Sequence, residues 1–160
     1  MLGNANGFVD SFIGGWQVQG IVILRSGTPF TPVVSGDVAK TGVSSQRPNL
    51  NSAGGSTSFK KSLTKWFDTS RYVVAPSGTY GNVRANTQRS DMFRQYDASI
   101  FKNFSLPGES ILSFRAEFFN VSNTTSFAGP NATIDATAGG QVSATAVNPR
   151  SIQLALKYRF

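Results

Sequence analysis

Apolar and polar residues alternate along several stretches of the chain, a pattern typical of β-strands that present two different faces. Helical periodicity is scarce. We therefore predict an all-β protein with strands over residues 16–25, 96–104, 111–119 and 152–160. The segment GFVDSFI, which precedes the turn signal Gly14-Gly15, indicates the end of a further strand upstream.

The alternation assigns a face to each residue of these strands. In residues 111–119, Leu112, Phe114, Ala116 and Phe118 alternate with Ser113, Arg115 and Glu117. Because Arg115 and Glu117 are two positions apart, they point the same way and can pair. In residues 152–160 the apolar face carries Ile152, Leu154, Leu156, Tyr158 and Phe160, and the other face includes Lys157 and Arg159.

The connections between the strands differ sharply in length. Residues 26–95 and 120–149 are long and rich in Gly, Pro, Ser and Asn, whereas residues 105–110 form a short turn in which Pro107-Gly108 gives a type II signature. The first connection contains two apolar fragments, KWFDTSRYVV and TPFTPVV. They predict that part of this connection packs against another surface. Pro29 and Pro32 make TPFTPVV unsuitable as a central strand.

Two architectures bury such faces. In a soluble sandwich the apolar face forms a core, and in a transmembrane barrel it faces lipid while the polar face lines the lumen. The strand lengths match the roughly 9 to 11 residues that cross a bilayer at a tilt. Together with alternating short and long connections and aromatic residues near strand ends, they favour an antiparallel up-and-down meander within a barrel.

The composition argues against catalysis. The chain has no Cys and no His, which excludes disulfides, thiolate chemistry and the usual nucleophile–histidine pairs. The S-x-x-K matches SFKK and SLTK lie in a Gly/Ser-rich loop, without the S-D-N and K-T-G partners that this chemistry needs. No phosphate-binding Gly-rich loop occurs. We expect no enzyme activity, cofactor or metal.

The formal net charge is +7, and the basic residues concentrate in the region 58–94. Such a region could meet nucleic acid, anionic lipid headgroups or an acidic ligand. The plainer interpretation is a solvated loop, and we expect no nucleic-acid partner.

Four stretches closely resemble the C-terminal part of TonB-dependent outer-membrane receptors, and most closely the Oar-like subgroup, whose members often carry a carboxypeptidase-regulatory-like domain. They are GGWQVQGIVILRSGTPFTP, YDASIFKNF, FRAEFFNVSNTTSF and NPRSIQLALKYRF, and the resemblance covers nearly the whole chain. It implies a barrel of about 22 strands with an internal plug domain. Such a receptor takes up scarce ligands across the outer membrane of a Gram-negative-type bacterium, with energy passed on by TonB.

The chain departs from that family pattern by omission, since the sequence contains no signal peptide, TonB box or plug. We therefore expect residues 1–160 to be one barrel segment holding about the last five strands. Outer-membrane lipid and the barrel-assembly machinery are the implied partners, and TonB would act only through the missing plug. Nothing in the sequence selects the ligand.

The resemblance also gives roles to named residues. The alternating set Ile152, Leu154, Leu156, Tyr158 and Phe160 resembles the signal that the barrel-assembly machinery reads in a C-terminal strand. Arg115, Glu117, Lys157 and Arg159 are implied to face the lumen.

Two other functions remain open from the residues alone. One is a soluble or surface-attached β binding module that uses the basic loop to recognise an anionic polymer. The other is a smaller pore-like or adhesin-type outer-membrane barrel.

Overall fold

The computed structural model of the protein describes residues 13–55 and 58–160, and it is all-β with almost no helix. Its strands are β1 (Gln17–Arg25), β2 (Pro29–Phe30), β3 (Asn49–Leu50), β4 (Tyr72–Val73), β5 (Gln88–Arg89), β6 (Phe93–Ser105), β7 (Ile111–Phe119) and β8 (Ser151–Arg159), with a 3-10 helix at Thr69–Arg71. Among the described residues, no helix has the length and apolar character needed to cross a membrane.

The four long strands form one sheet in the order β1-β6-β7-β8, in which β7 pairs antiparallel with both β6 and β8. This confirms the predicted antiparallel meander. The upstream strand suggested by GFVDSFI lies almost entirely outside the described residues. One boundary was wrong: β6 begins at Phe93, so Arg94 belongs to a strand and not to the basic loop. Only residues 98–105 of β6 pair with β7, and β1 is the neighbour of β6 on its other side.

The register places the predicted apolar residues together on one face. Phe114 lies opposite Leu156 on β8 and Lys102 on β6, and Ala116 lies opposite Leu154. Because side chains directly opposite each other in an antiparallel pair share a face, the alternation of each strand is matched by its neighbour. The sheet therefore has one apolar and one largely polar face.

A tight turn joins β6 to β7. Gly108 has a φ of +75°, and the N–H of Leu106 donates to the carbonyl of Ser110 at 2.8 Å. Glycine reaches this left-handed conformation without steric cost, and the ring of Pro107 fixes the φ of Pro107 itself at a value that suits the turn. The predicted Pro-Gly turn is therefore in place.

Residues 25–93 and 126–146 form a second compact unit with its own core, separate from the unit that contains most of the four-stranded sheet. Trp66, Phe67, Tyr72, Val83 and Val142 are buried there. We call residues 25–93 and 126–146 the loop unit. It contains two short antiparallel strand pairs, β2–β5 and β3–β4. The expected irregular connections are thus an organised body, and the fragments KWFDTSRYVV and TPFTPVV contribute to its core, as their apolar residues predicted.

Gly27 marks a close approach of two backbone segments at the start of the loop unit. It is buried, and a Cβ atom at this position would lie 2.1 Å from the carbonyl oxygen of Ser90. The close approach lets Ser90 donate its N–H to the carbonyl of Thr28 at 3.0 Å, next to the β2–β5 pair. Only glycine fits between these two backbone segments.

Replacing Gly27 with Ala should destabilise the loop unit by about 1–3 kcal/mol, because the added methyl group meets backbone that cannot rotate away. Gly129→Ala is the matched control, since a Cβ there would meet nothing within 4 Å. In a Trp16→Phe background Trp66 is the sole tryptophan, and its fluorescence follows unfolding of this core in denaturant. Equal midpoints for the two glycine variants would contradict the close-packing explanation.

Candidate functional site

The polar face of the sheet forms an open cleft of about 630 Å³. Four strands contribute side chains to it: Gln17, Gln19, Phe101, Asn103, Ser113, Arg115, Ala155 and Lys157 line the cleft. Amides, a hydroxyl group and two cations predominate. Such a surface can hydrogen-bond water, polar solutes or another protein segment.

Arg115 is the centre of this face. Its guanidinium lies 4.7 Å from the ring centroid of Phe101 and 3.7 Å from a carboxylate oxygen of Glu117. Phe101 is an apolar residue on the polar face, and the cation–π contact gives it a partner there. The ion pair is partly exposed, so it orients the two side chains more than it stabilises the fold.

The other predicted lumenal residues share this face. Lys157 is opposite Ser113 and Arg159 is opposite Ile111, and both partners alternate in phase with Arg115 and Glu117 along β7. The register therefore places all four predicted charges on one side of the sheet. That they meet a plug or a ligand stays a prediction.

The opposite face is apolar and open. Leu154 and Leu156 are 69% and 68% exposed, and Val18 on β1 is 72% exposed. Ile152, Val22 and Tyr158 are also exposed on this face, and Phe160 follows β8 with its ring 5.9 Å from that of Tyr158. A continuous apolar surface of this kind needs a non-aqueous neighbour. The role of residues 152–160 as an assembly signal stays a prediction.

Lys102 is the exception on the apolar face. It is 3% exposed, and its ammonium group donates to the carbonyl of Gly14 between the rings of Trp16 and Phe104, at 5.5 and 5.2 Å from their centroids. Trp16 also packs edge-to-face on Phe114. The aromatic rings and the carbonyl provide electrostatic partners for a charge that this surface would otherwise exclude.

Asn120 organises the end of β7. Its backbone N–H donates to Asp97 Oδ1 at 2.9 Å, and its side-chain amide donates to the carbonyls of Thr124 and Asn148 at 3.1 and 3.0 Å. Asn120 has a φ of +51°, a conformation that Asn tolerates better than most residues. These contacts hold the ends of three chain segments together and explain the Asn after Phe118-Phe119.

The loop unit is strongly cationic. Residues 25–93 and 126–146 contain nine basic and four acidic side chains, a formal net charge of +5. The carboxylates accept local hydrogen bonds: Asp37 from Thr41 and Gly42, Asp68 from Ser70, Asp91 from Phe127 and Asp135 from Ser35. These four carboxylates therefore stabilise the conformations of the loops through local hydrogen bonds.

Two of these carboxyl groups have pKa values below the ordinary value of 3.8. For Asp37, the backbone N–H groups of Thr41 and Gly42 stabilise the charged form. For Asp135, partial burial raises the pKa, but hydrogen bonds from the hydroxyl and N–H groups of Ser35 outweigh it.

No metal site is formed by the part of the chain that the structure describes, where no cluster of three His, Cys, Asp or Glu side chains occurs.

Residues 1–153 match the family model described as "Outer membrane beta barrel domain". The match covers most of the chain, so the protein belongs to this family of outer-membrane β-barrels and is located in the outer membrane. No curated protein and no solved structure matches it significantly. A β-barrel presents an apolar face of this kind to lipid. That Arg115, Glu117, Lys157 and Arg159 face the lumen stays a prediction.

Single cysteines can test this orientation, because the native chain contains none. In intact outer membranes, Arg115→Cys and Lys157→Cys should react several-fold faster with a charged, water-soluble maleimide than Leu154→Cys and Leu156→Cys. Thiols in water ionise and react, whereas lipid-facing thiols do not meet the reagent. Labelling of all four after detergent denaturation controls for expression. Similar rates in intact membranes would contradict the assignment of the faces.

The loop unit should lose stability in acid. A carboxyl group whose pKa is lower in the folded than in the unfolded state contributes stability above the unfolded pKa, and this contribution is lost as the pH falls through the folded value. Unfolding of the Trp66 core should therefore become easier below pH 3.8, and Asp135→Asn should weaken this pH dependence. Glu109→Gln, in the β6–β7 turn, is the control. An unchanged pH profile in Asp135→Asn would contradict the role of this carboxylate.

Proposed function

We propose that the chain is the C-terminal barrel segment of a TonB-dependent receptor, of the Oar-like subgroup, that imports a scarce ligand across the outer membrane. The proposal rests chiefly on the combination of a two-faced transmembrane sheet with a compact, cationic loop unit. Membership of the outer-membrane barrel family supports the first part. The quoted sequence stretches, which resemble these receptors over nearly the whole chain, support the finer assignment.

In this proposal each surface has a role that follows from its chemistry. The apolar face holds the segment in lipid. The amide- and cation-rich face, with Arg115 at its centre, contacts the plug of the complete receptor. The loop unit meets the ligand on the extracellular side, and a receptor that captures dilute solutes benefits from a pre-formed surface there, because less conformational entropy is lost on binding.

The proposal also includes two partners, the barrel-assembly machinery and TonB, and the absence of catalysis and of cofactor binding. The barrel-assembly machinery inserts the strands, with residues 152–160 as its signal, and TonB acts through a plug that is encoded with the rest of the receptor. The segment has no catalytic role and binds no cofactor.

The energy requirement separates active import from passive passage. Solutes remaining in the growth medium can be compared by mass spectrometry for three strains: the parent, one lacking this protein and one lacking TonB. At least one solute should be depleted by the parent and remain in the medium of both mutants. Restoring the gene for this protein on a plasmid should restore that depletion, which controls for secondary effects.

The other outcomes favour different functions. If the strain lacking TonB still depletes the solute and the strain lacking this protein does not, the barrel is a passive pore. If removing the protein changes attachment to surfaces and leaves every solute unchanged, an adhesin-type barrel replaces the receptor.

A further inference from the structure

A small cavity lies within the loop unit, beside residues 25–28. Its volume is about 300 Å³, at the lower end of the range for small-molecule sites. Three segments of the unit form its walls, and the lining side chains that carry polar or aromatic groups are Arg25, Ser26, Thr28, Ser90, Asp91, Phe93 and Phe127.

Arg25 is the principal charged group of the cavity. Its guanidinium lies 4.4 Å from the ring centroid of Phe93, which sets the plane of the cation. The guanidinium of Arg25 contacts this ring. Within residues 13–55 and 58–160, no carboxylate forms an ion pair with the guanidinium. A stacked guanidinium keeps its N–H donors at the edge, where two of them can bind a carboxylate at once.

The neighbouring groups are fixed by contacts within the unit. Ser90 Oγ accepts the N–H of Thr28 at 2.9 Å, and Asp91 accepts the N–H of Phe127 at 3.1 Å. These bonds hold the three walls together before any ligand arrives. The hydroxyl groups of Ser26 and Thr28 and the partly exposed ring of Phe127 add hydrogen-bonding and stacking surface.

The charges in the cavity favour a single negative charge on the ligand. Arg25 attracts an anion, but the carboxylate of Asp91 lines the same cavity and repels a second charge. A doubly charged phosphate is therefore a poorer match than a carboxylate. Hydroxyl groups on the walls favour a ligand that carries hydroxyl groups of its own.

We infer that this cavity binds the carboxylate of a small, hydroxylated solute such as a sugar acid, with Arg25 as the anchor. The inference rests on the proposed function, because it names a chemical group of the imported solute. Its test measures binding to the purified protein and requires neither TonB nor transport, so the two proposals can fail independently.

Three related probes isolate the charged group: glucuronate, glucose and glucose 6-phosphate. Calorimetric titration of the full-length protein in detergent, at about 0.15 M salt to screen general attraction, should give the tightest binding for glucuronate. Arg25→Gln should weaken glucuronate binding by about 10- to 100-fold, the effect expected for hydrogen bonds to a charged group. Glucose binding should change little.

Two further variants make the result specific. Arg84→Gln removes the same charge from an exposed position of the loop unit outside the cavity, and it should leave glucuronate binding unchanged. Arg25→Lys keeps the charge but loses the paired donors, so its affinity should fall between those of the native protein and Arg25→Gln.

The inference is overturned by any of three results: equal binding of glucose and glucuronate, tighter binding of glucose 6-phosphate, or equal losses in Arg25→Gln and Arg84→Gln. The last would assign the effect to the overall charge of the unit. With all variants made in the Trp16→Phe background, native Trp66 fluorescence verifies that the core of the unit is folded.

Discussion

Backbone hydrogen bonding is the constraint on which this structure depends. In the hydrocarbon core of a membrane no water is available to satisfy N–H and C=O groups, so each strand must be paired along its length. Strand β7 has a paired neighbour on both sides, and β6 lies between β1 and β7 with its residues 98–105 paired to β7. Within residues 13–55 and 58–160, β1 and β8 each have a neighbour in the sheet on one side only, so their outer edges require further strands in the membrane.

Once pairing is fixed, the alternation of side chains determines which surfaces the sheet offers. A one-residue shift between β7 and β8 would bring Lys157 and Arg159 to the face of Phe114, and Leu154 and Leu156 to the face of Arg115. The observed register avoids this exchange. The same rule explains why Lys102 needs its aromatic neighbours, since it is a cation in phase with the apolar residues of β6.

The sheet could be predicted from the sequence because its information is local. A period of two places Phe114, Leu156 and Arg115 on their correct faces without knowledge of the partners. The loop unit could not be predicted in the same way, because Trp66 and Val142 meet in one core from distant parts of the chain and share no period. The cavity at Arg25 depends on equally distant contacts, and so does the close approach of Gly27 to Ser90.

The loop unit is built from two connections that are far apart in the sequence. Its core can therefore form only after both connections are present. Ser35 binds Asp135 across 100 positions of the chain, and Val33 forms a bridge with Thr133. The core cannot close until the segment that contains Val142, which directly precedes β8, has taken its place. Contacts of such long sequence separation form slowly. The core of the loop unit is therefore completed late in folding, and a chain that lacks the segment around Val142 exposes Trp66 and Phe67 to proteases and to aggregation.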